Sequence, residues 1–494
     1  MKFISTRGAS DFRSFTDLLT CGTAEDGGLY MPEKWPERLS LSNDELACSS
    51  YVEIVMAVLA AFAGGMEDVA CFKTAITSAF AKFDTPDGPP LNKLEGDLWT
   101  MELFNGPTFA FKDYALFPIA EMISSKLKDG NQNATVLCAT SGDTGASTVA
   151  AFARRDNLKA VVLFPLGRVS PLQQLQMTTS GAENILVLGV DGDFDDCQRI
   201  VKELYKSKAS GEHNYTAVNS INLVRILLQS AYYLQTAAKL YKQTGKHSSF
   251  IVPTGNFGNI FAAHIAKQLG VPIDHLIASS NENDILPRAF SDGRMERKST
   301  QKTISPSMDI QISSNFERAV WTVKNSNGNE TRAAHTELEQ TGAYYLPLQE
   351  VKLLKESYSA IRCDTSQAQE AMQTVRNRFD KIICPHTATA AHVALNHCGN
   401  LESNIVIVET AHPAKFPNAV IDATGIAPDT PPALARLQHH QTPIAEVESG
   451  SHAALQKIHG AGEQYIKVKA TACAVQNAID DFASCMPAGH HNKT

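Results

Sequence analysis
No Cys-x-x-Cys pair occurs in this chain, although ten cysteines are spread over positions 21, 48, 71, 138, 197, 363, 384, 398, 473 and 485. Scattered singly, they indicate neither a zinc site nor a disulfide framework, so no metal is expected. Such usage suits a reducing cytoplasm. A long hydrophobic run is missing as well. The longest, from Ile54 to Met66, is too short to span a bilayer and contains Gly64-Gly65, so it reads as a buried helix and no membrane partner is expected. The first eight residues, Met1-Lys2-Phe3-Ile4-Ser5-Thr6-Arg7-Gly8, lack the apolar core of a signal peptide. Positive charge is not in excess. With 44 Lys and Arg against 52 Asp and Glu, the net charge of −8 gives no reason to expect nucleic acid or an anionic membrane. Internal repeats and low-complexity tracts are also absent.

What is present is enough apolar sequence for a sizeable core: 43% hydrophobic and 19% charged residues over 494 positions, room for two or three domains. Residues 1–83 read as mostly helical, with a Gly-rich turn at Asp26-Gly27-Gly28. The segment Asp84-Thr85-Pro86-Asp87-Gly88-Pro89-Pro90 then breaks the pattern, because prolines and a glycine cannot continue a helix. An alternation follows: strands at 135–139, 160–164, 185–189 and 216–218, with helices at 146–154, 171–180, 194–205 and 223–241. It resumes with strands at 250–252, 276–277, 381–384 and 405–408 and helices at 260–269 and from 386, interrupted by a charged stretch at 291–307. Buried strands alternating with helices imply βαβ units and parallel sheets, with ligands at the carboxyl ends of strands. The expected organisation is a mostly helical N-terminal region (1–95), a smaller α/β domain with the lysine described next (96–245), a larger α/β domain (246–425) and a C-terminal extension (426–494). That extension is Pro-rich and then helical, and the pattern does not place it.

The stretch Phe104-Asn105-Gly106-Pro107-Thr108-Phe109-Ala110-Phe111-Lys112-Asp113 sets one lysine among phenylalanines and an alanine, ahead of an apolar helix-like run. A lysine in such company has either snorkelled to water or been desolvated, and desolvation turns an amine into a nucleophile for carbonyls. Four strand-end loops bear on that choice. Ala139-Thr140-Ser141-Gly142-Asp143-Thr144-Gly145-Ala146 passes from a strand into a helix, either as a ligand loop with free N–H groups or as a locally capped helix. Thr254-Gly255-Asn256-Phe257-Gly258-Asn259 lacks both the G-x-G-x-x-G fingerprint and the G-K-[ST] ending. A cradle without a lysine suits a phosphate that is held and not transferred; a tight turn is the alternative. In Asn219-Ser220-Ile221-Asn222-Leu223-Val224-Arg225, Ser220 can cap a helix or meet an anion, and Arg225 is either a fork for phosphate or carboxylate or a surface arginine. Thr410, just after the strand at 405–408, offers a neutral hydroxyl or is a solvated turn residue. An apolar-flanked lysine, a static phosphate cradle and a strand-end hydroxyl together describe a pyridoxal phosphate site, which needs an amine, a phosphate grip and a partner for the ring nitrogen.

On these residues the chain resembles the threonine synthase family, of the tryptophan-synthase-β-like (fold type II) pyridoxal phosphate enzymes. The matching segments are S-T-R-G at 5–8, E-D-G-G-L-Y-M-P-E at 25–33, G-P-T-F-A-F-K-D at 106–113 and T-S-G-D-T-G-A at 140–146. N-S-I-N-L-V-R at 219–225, P-T-G-N-F-G-N at 253–259, S-M-D-I-Q-I-S-S-N-F-E-R at 307–318 and T-A-H-P-A-K-F at 410–416 complete them. They keep the family's order over residues 1–420, and the first and seventh point to its longer bacterial and fungal branch.

The resemblance implies an α/β, fold type II architecture: two parallel-sheet domains flanked by helices, with a mostly helical N-terminal region. It implies pyridoxal 5'-phosphate as cofactor and O-phospho-L-homoserine as substrate, converted with water to L-threonine and phosphate in the cytoplasm. Lys112 would hold the cofactor and serve as general base and acid. Gly255, Asn256, Phe257, Gly258 and Asn259 would cradle its phosphate, and Thr410 would meet its ring nitrogen. Ser141, Gly142 and Thr144 would receive the substrate, and Ser220 and Arg225 would grip the substrate phosphate. Asp143, counted with the cofactor-binding residues, stands where many relatives carry asparagine, and a carboxylate there must share a proton or point away. The alternatives are a phosphohomoserine lyase releasing a keto acid, a serine/threonine dehydratase-like enzyme, or a non-catalytic protein on the same fold. A dehydratase has no second phosphate to hold, so Ser220 and Arg225 argue against it; Lys112 argues against the last.

Overall fold
The computed structural model describes residues 1–206, 215–399, 401–438 and 465–485. The chain forms two compact units, one from residues 1–123 and 220–429, the other from 124–219 and 430–494. These seams differ from the expected ones at 95, 245 and 425. Strand Leu98–Glu102 pairs in parallel with Asn404–Glu409, which draws the lysine segment into the larger unit. Helix Leu223–Thr244 packs there too, against Tyr51–Ala63 and Gly258–Gln268.

The larger unit holds a six-stranded sheet in the order Tyr358–Arg362, Ile273–Ser280, Ser248–Pro253, Asn404–Glu409, Leu98–Glu102, Leu91–Glu95. All neighbours are parallel except the last pair, a hairpin. Its central strands are buried throughout, so they read as continuous β-branched runs, as both-face burial demands. Along Asn404–Glu409 the faces alternate: Ile405 and Ile407 join Ile251 and Ile277 against Met372, Val375, Ala388 and Ala391 of the helices Thr365–Phe379 and Pro385–His397. Each such isoleucine stabilises the fold by about 1.5–3 kcal/mol through burial.

One expected strand does not form. Residues 381–384 are irregular, and the sheet edge is Tyr358–Arg362 instead. Cys384 caps the helix beginning at Pro385, accepting from the Thr387 N–H. Lys381 spends its ammonium between Glu102 (2.7 Å) and Glu409 (2.9 Å). The edge strand, Tyr-Ser-Ala-Ile-Arg, carries the sparse apolar content of a strand with one free side, which a search for buried runs passes over.

The smaller unit holds an all-parallel sheet in the order Ile466–Lys469, Ile185–Asp191, Leu158–Pro165, Ala134–Ala139, Tyr215–Ala217. The C-terminal extension thus supplies an edge strand. It also supplies the helix Ala472–Cys485, whose Val475, Ile479 and Phe482 pack with Ile200, Val201 and Leu204 of Phe194–Lys206. The N-terminal region contains the expected helices, among them Tyr51–Ala63 and Lys73–Phe80. Ahead of them an antiparallel pair forms, Phe3–Ser5 with Tyr30–Pro32. Among the described residues, no helix is long and apolar enough to cross a membrane, and no group of three or more His, Cys, Asp and Glu is placed to hold a metal ion.

Candidate active site
Three adjacent parallel strands of the larger sheet, Ser248–Pro253, Asn404–Glu409 and Leu98–Glu102, end at one edge. The Gly loop, the 410–416 segment and the lysine segment leave from there, the position at which open α/β sheets bind ligands. Asn404–Glu409 is the middle strand, so Thr410 emerges between the other two. Backbone hydrogen bonds then zip the lysine segment onto it: Leu103 N–H to Glu409 O (2.9 Å), Phe111 N–H to Thr410 O (2.9 Å) and His412 N–H to Phe109 O (3.1 Å). Lys112 is therefore one residue from a direct link to Thr410.

The lysine segment is held tightly. Buried Asp113 accepts from the Thr108 N–H (2.7 Å) and hydroxyl (2.6 Å), and Lys415, with no exposed surface, donates to Thr108 O (3.0 Å). A side chain at Gly106 would come within 2.6 Å of the Asp113 Cβ, so only glycine fits. Phe109 has φ +60°, a left-handed conformation that bulky residues rarely adopt and that concentrates at functional sites. Lys112 itself is half-buried, its Nζ 4.8 Å from the Phe111 ring centroid.

At the Gly loop, Phe257 has φ +61° and precedes the helix Gly258–Gln268 without a side-chain cap. The first-turn N–H groups of such a helix have no intrahelical acceptor and attract anions. A Cβ on Gly255 would lie 2.9 Å from Ile310 Cδ1 and 3.0 Å from Ser307 O, so the loop is closely backed. Asn259 accepts from Tyr232 (2.5 Å) and Tyr233 (2.9 Å) through Oδ1, while its buried Nδ2 and the buried Oδ1 of Asn256 have no protein partner. Orphaned buried amide atoms are costly, which fits a polar group bound at this loop.

At 219–225 the helix cap is Asn222 and not Ser220: Asn222 Oδ1 accepts from the Arg225 N–H (3.3 Å), and its Nδ2 donates to Leu18 O (2.9 Å). Ser220 is half-buried and Arg225 is only 2% exposed, so the surface-arginine reading is removed. In the smaller unit, Thr140 takes the local work expected of a cap, accepting from the N–H groups of Gly142 (2.9 Å) and Gly145 (2.7 Å). Ser141 and Thr144 are half-buried beside it, and Gly142 has φ +131°. Buried Asp143 accepts from Gln173 Nε2 (2.8 Å), a partner the sequence did not reveal. Lys415, Asp113 and the 313–318 segment behind the Gly loop were likewise missed as site components. All three lie in segments quoted above for the family resemblance, but nothing in the local pattern assigns them a part.

His412 is packed edge-on against Phe104 and Phe109 and accepts from the Ala414 N–H (3.1 Å) through Nδ1. Burial pushes its pKa down to about 4, and the same happens to His264 in the helix Gly258–Gln268. Between that value and the ordinary one near 6.5, the unfolded chain binds more protons, so stability is complete above about pH 6.5 and is lost as pH falls toward 4. Thermal melts at about pH 7.5 and about pH 5 are expected to show this loss, and His412→Gln should reduce the difference. An unchanged pH difference in the variant would remove His412 from the account.

The family described as pyridoxal-phosphate dependent enzyme matches residues 88–411, threonine synthase N terminus matches 2–80, and threonine synthase, C-terminal matches 387–459. The threonine synthase of Pseudomonas aeruginosa is 36% identical over 442 residues, 88% of this chain and 93% of that protein. The structure of a PLP-bound threonine synthase from Brucella melitensis superposes with a TM-score of 0.85 at 36% identity, covering 98% of this chain and all of that one. The yeast threonine synthase structure gives 0.83 at 29% identity, over 98% and 99% of the two chains.

Proposed function
Because the chain belongs to the threonine synthase family of pyridoxal-phosphate dependent enzymes, with their α/β fold type II architecture, we propose that it converts O-phospho-L-homoserine and water to L-threonine and phosphate with Lys112 at the centre of the chemistry. Pyridoxal 5'-phosphate, when bound, supplies an electron sink for charge developing on the substrate's carbon chain. The N–H groups of Gly255, Asn256, Phe257, Gly258 and Asn259 would hold its phosphate, helped by the orphaned Asn259 amide. Thr410 would meet its ring nitrogen as a neutral hydroxyl. Asp143 is counted with the cofactor-binding residues, and within its own unit its carboxylate accepts from Gln173 Nε2. Lys112 would hold the cofactor, take protons from the substrate's Cα and Cβ, and return protons to Cγ, once phosphate has left it, and finally to Cα. Ser141, Gly142 and Thr144 receive the amino-acid end, while Ser220 and Arg225 bind the phosphate that leaves from Cγ. Water then adds at Cβ. Cytoplasmic residence belongs to the same reading, supported by free thiols at the described cysteines.

The observation that supports this most is the backbone bond from Phe111 to Thr410, which sets Lys112 beside the strand end next to the Gly loop. Product analysis after incubation with O-phosphohomoserine tests it. Threonine and phosphate in equal amounts are expected of this PLP-dependent lyase; a keto acid with phosphate would make it the alternative phosphohomoserine lyase, and no phosphate release would sink the proposal. A second expectation concerns Thr410. Thr410→Ser should keep the product distribution, while Thr410→Asp favours a protonated ring nitrogen and should divert a measurable share of product to keto acid. Normal partition in the aspartate variant would place the hydroxyl elsewhere.

A further inference from the structure
We propose that Asn315 is a positioning residue that sets the two anion-binding loops, 254–259 and 219–225, in register with each other. This rests on the reading that these loops hold the cofactor's and the substrate's phosphates. Asn315 is completely buried. Its Nδ2 donates to Ser220 O (3.0 Å) in one loop and to Asn256 O (3.1 Å) in the other, and its backbone N–H donates to the same Asn256 O (3.1 Å). Its Oδ1 accepts from Arg318 Nε (3.2 Å), which fixes which way the amide faces.

The neighbours extend the pattern. Ser313 donates its hydroxyl to Gly255 O (2.6 Å), and Arg318 donates Nη2 to Ile221 O (2.5 Å) and Nη1 to Tyr30 O. Carbonyls of Gly255, Asn256, Ser220 and Ile221 are thus all taken by residues 313–318. In a planar trans peptide the carbonyl and the following N–H point in opposite directions. Holding these carbonyls from behind therefore turns the N–H groups of Asn256, Phe257, Ile221 and Asn222 the other way. For the Gly loop, that is how a backbone cradle presents donors to an anion.

The brace is itself anchored. Next in sequence, buried Glu317 accepts from Thr6 Oγ1 (2.5 Å) and from Arg7 Nε (3.1 Å) and Nη2 (3.0 Å), and the Thr6 hydroxyl in turn accepts from Leu29 N–H (2.8 Å). Burial opposes the charged carboxylate, but His335, Arg7 and Thr6 together hold the Glu317 pKa below its ordinary value. The segments at 5–8, 25–33 and 307–318, which had no role by sequence, converge on this one support. Asn315 is the member that touches both loops.

The test uses the full-length protein. Asn315→Ala, and the isosteric Asn315→Asp in case the first does not fold, are titrated as apoprotein with pyridoxal 5'-phosphate and, as holoenzyme, assayed with O-phosphohomoserine. Asn315→Asp keeps an acceptor for Arg318 but loses the donor shared by the loops. Cofactor affinity is expected to fall about tenfold and KM to rise about tenfold, with kcat at saturation changed less than either. Loss in only one of the two would confine Asn315 to one loop and overturn the proposal. A lower melting temperature with both affinities intact would make it purely structural and overturn it equally. The parent's own turnover tests the functional reading, whereas the cofactor titration needs no substrate, so failure of one is distinguishable from failure of the other.

Discussion
Replacing Lys112 with alanine is expected to lower turnover by at least about a thousandfold while the protein still melts cooperatively near the parent's temperature, because positioned acid–base groups contribute about 10²–10⁴ and this one also tethers the cofactor. The fold should survive because Lys112 carries little of the local structure. Its segment is held by Asp113 on Thr108, by Lys415 on the Thr108 carbonyl, and by the backbone bonds Phe111 N–H to Thr410 O and His412 N–H to Phe109 O. None of these uses the Lys112 side chain. Lys415 is the obvious candidate to take over, yet it is fully buried and committed to Thr108 O, so no rescue is expected from it. Arginine should not rescue either, since it stays protonated. The measurements are turnover, a thermal melt, and the visible absorbance of the purified protein. Activity within about tenfold of the parent, about 1.4 kcal/mol in barrier, would remove Lys112 from its role.

What the sequence made legible follows from what buried strands look like. Where both faces of a strand are covered, as in Phe250-Ile251-Val252 or Ile405–Val408, the run is continuous, and the abrupt change to Gly, Asn, Ser or Thr marks its carboxyl end. The candidate loops were found that way. Tyr358–Arg362 and Ile466–Lys469 escaped because edge strands are short and half polar; Lys381 to Cys384 was misread because a short apolar run is equally a buried lead-in to a helix. Asn315, Arg318 and Lys415 were illegible for a different reason. A polar residue's burial depends on partners far away in sequence, such as the Tyr30 carbonyl for Arg318, and no local pattern encodes that. The same holds for Asp143 and Gln173, thirty positions apart. The seams of the two units went unread because the strand preceding Lys112 pairs with one about three hundred residues later, a non-local choice.

Arg225→Ala should weaken use of O-phosphohomoserine by at least about tenfold in kcat/KM while leaving cofactor content unchanged. The two phosphates must be held separately, because one stays and the other leaves. The 255–259 loop has no cationic side chain and serves a permanent anion through N–H groups and a helix start. Arg225 can offer the departing one a charge-assisted hydrogen bond, worth roughly 1.5–3 kcal/mol, and 1.4 kcal/mol is about one decade. The cap of helix Leu223–Thr244 uses the Arg225 backbone N–H and would persist in the variant. With a solvated arginine excluded by its burial, the competing explanation is a structural one, in which the guanidinium only braces the helix packing. Arg225→Met separates the two, since it keeps most of the side-chain volume and removes the charge. A structural arginine forecasts a lower melting temperature with KM unchanged in both variants; a phosphate ligand forecasts raised KM in both, and partial recovery in Arg225→Lys, which restores a point charge without the fork. If instead the cofactor is lost from Arg225→Ala, the two phosphate loops have been assigned the wrong way round, and Asn315 would couple them in the opposite sense.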